Sequence, residues 1–258
     1  MQKVDHNGIP YYQFENINRL SGVSHGIFTR QAGYSKSPFD SLNIASDIGD
    51  DNHYVEKNRG VLAECFDNRK LVYTRQVHGD RVLVIDSRKV DSGNPDSTSP
   101  LIGDALVTDM PRIGLVIQVA DCQAVMLVDA KRKVVANVHA GWRGSIKNIL
   151  GRTVRTMEAR FGCRPRDMIA GIGPALGPCC AEFINYRTEI PDKFWAYKND
   201  SHHFDFRAIS RDQLIDGGVP AEKIAISRIC TKCSTDLFFS YRGEGKTGRF
   251  AAVIGLDS

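Results

Sequence analysis

Between residues 104 and 140 the chain runs through DALVTD, IGLVIQVADC, AVMLVDA and KVVANVHA in quick succession. Each run is short, rich in Val, Ile and Leu, and hardly interrupted by polar residues. Side chains alternate between the two faces of a strand, so a run that is apolar at nearly every position needs cover on both faces. Upstream, KLVYTRQVHGDRVLVID alternates apolar and polar residues more loosely and also reads as strand. Residues 91–104, DSGNPDSTSPLIGD, carry the Asp, Ser, Gly and Pro of a loop.

Helical spacing enters after the strand block. SIKNILGRTVRTMEARFG (145–162) sets Ile146, Ile149, Leu150, Thr153, Val154, Met157 and Phe161 on one face. Ser145 is placed to cap this helix and Gly162 to end it. SRDQLIDGGV (210–219) predicts a second helix, capped by Ser210 and stopped at Gly217-Gly218. The C-terminal LFFSYRGEGKTGRFAAVIGL reads as strand, glycine turn, strand. Strands grouped with strands predict the α+β class rather than regular βαβ alternation. No internal boundary is visible, so residues 1–258 are expected to form a single domain.

Bulk properties narrow the function classes. Net charge is only +4, with no block of like charge, which argues against a nucleic-acid partner. MQKVDHNGIPYYQF has no apolar secretory core, and no run approaches the ~18 apolar residues of a membrane span. Seven cysteines, an odd number without scaffold spacing, are expected as reduced thiols in a cytoplasmic protein.

Two motifs fail on context. GEGKTG (243–248) matches G-x-G-x-x-G, but a dinucleotide site needs a helix after it, and RFAAVIGL reads as a strand. A P-loop would need glycine where Ser240 stands. CTKC (230–233) has ligand spacing, but no second ligand pair lies nearby in sequence and Cys179-Cys180 are adjacent, so structural thiols are expected. A base-deaminase signature is absent, because the chain contains no H-x-E.

Three segments each place a ligand-type residue at the end of a Val-rich run: RQVHGD gives His78, ADCQAV gives Cys122, and VHAGWRG gives His139. One thiolate with two imidazoles suits Zn²⁺, and three protein ligands leave the fourth position of a catalytic site. The same residues also read as an unrelated core cysteine, a satisfied histidine and an exposed one. A cysteine hydrolase is a third reading, with Cys122 or Cys180 as nucleophile and His139 or His78 as base. GIGPALGPCCAEF (171–183) reads as a rigid connector or as a backbone wall beside a ligand.

Taken in order, TRQAGYSKSPFDSLNIASDIGDD, VEKNR, RQVHGDRV, DALVTD, ADCQAVMLVD, VHAGWRGS, GIGPALGPCC, CTKC and FFSYRGEGKTGR resemble the YfiH-type laccase-domain family, also called polyphenol oxidase-like. They span about residue 28 to the C-terminus; the first 20 or so residues contribute little and are expected to be peripheral. The resemblance implies zinc bound by His78, Cys122 and His139, and a mixed β-sandwich flanked by helices. It also implies phosphorolysis of adenosine, inosine, guanosine and methylthioadenosine, with adenosine deamination in addition. Substrates would be purine nucleosides and phosphate, with no membrane partner and a monomer or homodimer as the active form. Departures from the family are Ala32 for Gly, Ala124 for Pro and Ala181 for Tyr; the last bears on substrate preference.

Phosphorolysis needs cations for phosphate, and the planar fork of arginine suits them: Arg143, Arg59 and Arg242 are the candidates, each with a surface ion pair as the plainer reading. Asn43 is a candidate for ribose or base, or the centre of an Asx turn. For deamination, Asp80 or Asp121 would move protons or merely orient a ligand histidine. A copper polyphenol oxidase is the rival cofactor reading, although a multicopper site needs more imidazoles than seven histidines without an H-x-H pair supply. A non-catalytic zinc-binding module is the rival of another class.

Overall fold

The computed structural model describes residues 1–91 and 100–257. Six strands form the first sheet, in the order β1 (Gln2–His6), β2 (Ile9–Gln13), β3 (Val23–Phe28), β12 (Phe250–Leu256), β7 (Ile113–Val119) and β4 (Lys70–Val72). The second has the order β11 (Ile224–Ile226), β10 (Ile169–Ile172), β8 (Gln123–Asp129), β9 (Val134–Ala140), β6 (Ala105–Thr108) and β5 (Val82–Val84). Both sheets are mixed: β4–β7, β5–β6 and β10–β11 pair in parallel, and the other pairs are antiparallel. Helical segments are α1 (Glu15–Asn18), α2 (Asn52–Cys65), α3 (Ser87–Val90), α4 (Trp142–Ile146), α5 (Ile149–Phe161), α6 (Tyr186–Glu189), α7 (Phe206–Asp216) and α8 (Tyr241–Glu244). None is long and apolar enough to cross a membrane among the described residues.

The period-2 alternation of the strands explains the layering. On β7 and β12, Leu115, Ile117, Ala252 and Ile254 face inward and meet Met126, Val128 and Val135 of the second sheet. Val116, Ala251 and Val253 point the other way, against Leu62 of α2 and the following Phe66. On the second sheet Val125, Leu127, Ala136 and Val138 face outward and are covered by Leu150, Val154 and Met157 of α5 and Leu214 of α7. Each fully buried aliphatic side chain is worth about 1.5–3 kcal/mol, so both faces of both central sheets hold the fold together. Asn137 is the polar exception: its Nδ2 crosses between the sheets and donates to the carbonyls of Leu115 (2.9 Å) and Ala252 (2.8 Å).

The four strand runs between 104 and 140 are β6, β7, β8 and β9, as their composition requires. Most of the loop expected at 91–104 lies outside the described residues. The expected 145–162 helix is two helices. Ser145 lies buried inside α4, and Asn148 breaks the chain in the left-handed region (φ 57°) before capping α5 through Gly151 N–H; Gly162 ends α5 as expected. The second helix starts earlier than Ser210, which is buried in its interior. Asp205 caps it by accepting from Arg207 and Ala208, and that helix ends at Gly217. No strand forms at 237–240: Phe238 and Phe239 are fully buried anchors in a turn, and Ser240 caps α8. The N-terminal strands do lie at a sheet edge, but Phe14 and Ile17 just after them enter the inter-sheet core.

Candidate functional site

His139 is delivered by the same alternation that builds the core. Along β9, Val135, Asn137 and His139 share the inter-sheet face, and His139 stands at its open end. In register with it is Ala124 of β8, so Cys122, two residues earlier, reaches the same rim. His78 arrives from the segment between β4 and β5, in the left-handed region (φ 56°). One buried carboxylate organises this junction. Asp104 accepts the backbone N–H groups of Val77, His78 and Gly79, and at 2.8 Å it accepts Nδ1–H of His139.

The three ligand atoms lie within 4.8 Å of one another, and Cys122 Sγ is 3.7 Å from His78 Nε2. Burial alone would raise the Cys122 thiol, but the charge and hydrogen bonds of His139 and His78 outweigh it and bring the thiol down to about 6. Burial would lower His139, yet Cys122 and Asp104 raise it to about 9. Each of the two thus favours the charged form of the other, a thiolate beside an imidazole, which is the donor chemistry a divalent cation takes up. With Asp104 holding Nδ1, His139 has Nε2 as its ligand atom, the arrangement that fixes tautomer and ring orientation in histidine metal sites. Thiolate plus two imidazoles at this spacing fits a zinc ion.

Gly141 explains the Ala-Gly that follows His139. A Cβ there would stand 2.9 Å from His78 Cδ2 and 3.0 Å from Cys122 Sγ, so any larger residue would push two of the three ligands. Trp142 and Arg143 then open α4, with the Arg143 guanidinium stacked on the indole at 4.3 Å. Together with the ligand trio they line a cleft of about 1020 Å³. Five arginines face it: Arg59, Arg75, Arg143, Arg242 and Arg249. Phe183, Phe206 and Trp142 supply aromatic walls, with Trp142 and Phe183 edge to face at 5.8 Å.

The structure thus gathers His78, Cys122, His139, Arg59, Arg143, Arg242 and Asp121 in one cleft. Asp121 does not orient a ligand histidine. Its Oδ1 accepts from Thr231 and Ser240, and its Oδ2 accepts from the backbone of Arg242. Asn43 is not part of the lining; it is a fully buried Asx turn that also accepts Arg249 N–H. Asp80 lies outside the lining too and pairs with Arg152 of α5 at 2.9 Å. Cys180 is not brought to either histidine. It lies 3.5 Å from Cys233, and burial with the neighbouring thiols pushes its own thiol up, against a nucleophile's need.

Sequence reasoning missed Asp104, Arg75, Arg249 and the two phenylalanines. Asp104 heads DALVTD and looks like an ordinary residue before a strand. Burial lowers the Arg249 guanidinium below its usual value, although Cys122, Asp47 and Asp121 pull the other way. Ala181, the departure expected to bear on substrate preference, does line the cleft.

A two-sheet α+β fold with a His–Cys–His group at the mouth between its sheets defines the class, and the comparisons give the family. Residues 24–257 match the family described as multi-copper polyphenol oxidoreductase laccase, and the chain belongs to it. It is 35% identical over 249 residues to the purine nucleoside phosphorylase YlmD of Geobacillus stearothermophilus, covering 92% of this chain and 91% of that one. A purine nucleoside phosphorylase of Bacteroides thetaiotaomicron is 32% identical over 254 residues, covering 93% and 94%. The crystal structure of the Geobacillus YlmD superposes with a TM-score of 0.88 at 32% identity, over 99% of this chain and 98% of that one. Bacillus licheniformis YfiH gives 0.88 at 31% identity, over 98% and 100%.

Proposed function

We propose that the chain is a zinc-dependent purine nucleoside phosphorylase acting on adenosine, inosine, guanosine and methylthioadenosine. The observation that carries this reading is the single cleft in which the His78–Cys122–His139 group, five arginines and a set of aromatic rings converge. When bound, a zinc ion held by those three residues supplies a Lewis acid that can polarise an oxygen or lower the pKa of a water.

The chain's own residues account for substrate binding. Arg143 stacks on Trp142 and has no carboxylate partner among the described residues, so the edge of its guanidinium can take phosphate oxygens. Arg242 Nη1 donates to the Glu182 carbonyl at 2.9 Å and Arg59 Nε to the Ile44 carbonyl at 3.1 Å, which fixes their planes before phosphate arrives. Phe183, Phe206 and Trp142 offer rings for a purine. In the reaction a phosphate oxygen bonds to ribose C1′, the C1′–N9 bond breaks, and its electron pair leaves with the purine, which takes up a proton. Asp121 is assigned a positioning role, since its three donors tie the Arg242 and Thr231 segments to β8. Deamination of adenosine belongs to the same proposal, on a donor set shared with water-activating zinc sites.

The copper oxidase reading lacks imidazoles. Among the described residues no further histidine joins His78 and His139 in a metal-holding group. All seven cysteines are free, in keeping with the cytoplasmic setting we propose.

Incubation with inosine and phosphate, followed by chromatography and metal analysis, tests the proposal. Hypoxanthine and ribose 1-phosphate should form only with phosphate present. His139→Ala should lose the cleft metal and turnover together. Arg143→Ala should raise KM for phosphate about tenfold or more, the worth of a charged hydrogen bond. Full activity in metal-free protein, or product without phosphate, would sink the reading.

A further inference from the structure

Four of the seven cysteines meet at a second place. Cys179 and Cys180 end the GPCC turn, Cys230 and Cys233 flank the CTKC turn, and their sulfurs all lie within 4.8 Å of one another. Adjacent cysteines make a poor chelate in an extended chain, but residues 178–180 form a hydrogen-bonded turn, in which Cys180 N–H (2.9 Å) and, with helix-like spacing, Ala181 N–H (3.0 Å) donate to the Gly177 carbonyl. Successive side chains on such a turn diverge by about 100°, so two neighbouring thiols can approach one point from different sides.

The distances are those of a chelate. Cys233 Sγ is 3.7 Å from Cys179 Sγ and 3.5 Å from Cys180 Sγ. A tetrahedron of sulfurs about zinc, with bonds near 2.3 Å, has edges of about 3.8 Å, whereas a disulfide brings two sulfurs to about 2.05 Å. Gly177 N–H donates to Cys230 Sγ at 3.3 Å, and a Cβ on Gly177 would meet Cys230 Cβ at 3.1 Å and Cys179 Sγ at 3.2 Å. Buried Arg207 joins both turns: its Nη2 donates to the carbonyls of Ala175 (2.7 Å) and Ile229 (2.8 Å), while its buried Nε has no partner. A guanidinium placed there offsets part of the negative charge of a tetrathiolate centre.

We infer that Cys179, Cys180, Cys230 and Cys233 bind a second zinc ion, a structural one, with the four thiols giving up their protons as four Zn–S bonds form. Its role is to fasten the cleft wall. Ala175, Leu176 and Ala181 of the first turn line the cleft, and Thr231 of the second donates to Asp121 at 2.6 Å. Neither turn belongs to a long helix or strand, and their backbones meet only at the short bridge between Ala175 and Cys230, so the metal reinforces a junction that little regular secondary structure supports. The inference is independent of the metal reading of the cleft.

Zinc per chain, measured on protein grown with zinc and freed of loose metal by gel filtration, tests it. Wild type should hold two equivalents, His139→Ala one, and Cys233→Ser one. Charging His139→Ala with cobalt(II) alone should give the intense thiolate-to-metal absorption of a tetrathiolate centre, and Cys179→Ser on that background should abolish it. His139→Ala holding no zinc, or Cys233→Ser holding two equivalents, would overturn the inference, as would a Cys180–Cys233 disulfide in the intact mass of freshly purified protein. A wild type with one equivalent that survives His139→Ala but not Cys233→Ser would uphold it and remove the cleft metal instead. Should the serine variants fail to fold, mercurial titration of the His139→Ala protein decides. Release of zinc as four thiols react supports the site in His139→Ala protein, and reaction of those thiols without release refutes it.

Discussion

Asp104 ties two of the three candidate ligand residues to one carboxylate. It is fully buried, and one carboxylate both shapes the turn that presents His78 and holds the ring of His139. Burial would raise it, but the His139 contact and the backbone N–H donors keep it below the usual carboxylate range. Asp104→Asn preserves volume but turns one acceptor oxygen into a donor facing N–H groups. The variant should fold and bind zinc about 10- to 100-fold more weakly, the usual effect of losing the partner of a ligating histidine. Chelator competition measures this, and unchanged affinity would show that His139 needs no such partner.

The break between α4 and α5 sets where Arg143 points. A continuous helix from residue 145 would leave Trp142 and Arg143 in a preceding loop. Instead, a five-residue helix carries both to the cleft, and the left-handed Asn148 redirects the chain onto the outer face of the second sheet. Asn148→Ala loses the cap bond to Gly151 N–H and keeps the left-handed strain, at a cost of about 2 kcal/mol. Asn148→Gly removes the cap but relieves the strain, so it should cost only a few tenths of a kcal/mol. Urea unfolding of the two variants checks the order, and equal losses would refute it. Periodicity alone could not show this break, because Ile146 and Ile149 continue the same apolar face across it.

At the scale of the molecule, stability on the acid side depends on His25 of β3. Its ring is buried and stacked with Phe14, its Nε2 accepts Phe14 N–H at 2.7 Å, and its Nδ1 has no partner. Burial lowers its pKa from 6.5 to about 4. Between those values the unfolded chain binds a proton that the folded chain does not, so stability is full above pH 6.5 and falls as pH drops toward 4. The loss should reach about 3 kcal/mol below that window, at about 1.4 kcal/mol per pH unit within it. Urea midpoints between pH 7 and 4.5 measure the slope. His25→Gln, which keeps an acceptor for Phe14 N–H, should flatten it, and an identical slope would assign the loss to other groups.

By itself the sequence determined the strand block, and it singled out His78, Cys122 and His139 as a candidate metal-binding trio that the family resemblance favours. Continuous apolar runs cannot be satisfied outside a doubly covered sheet, and His78, Cys122 and His139 each stand where such a run, or the turn beside it, ends. Tertiary structure alone decided which carboxylate serves them, that Arg75 and Arg249 join the three candidate arginines at the cleft, and that CTKC has partners. Asp104 and His139 are 35 residues apart, and Cys179 and Cys233 are 54 apart. They meet through β6–β9 pairing and the isolated bridge between Ala175 and Cys230. Local spacing carries no trace of such contacts, because hydrogen bonding between distant segments sets them.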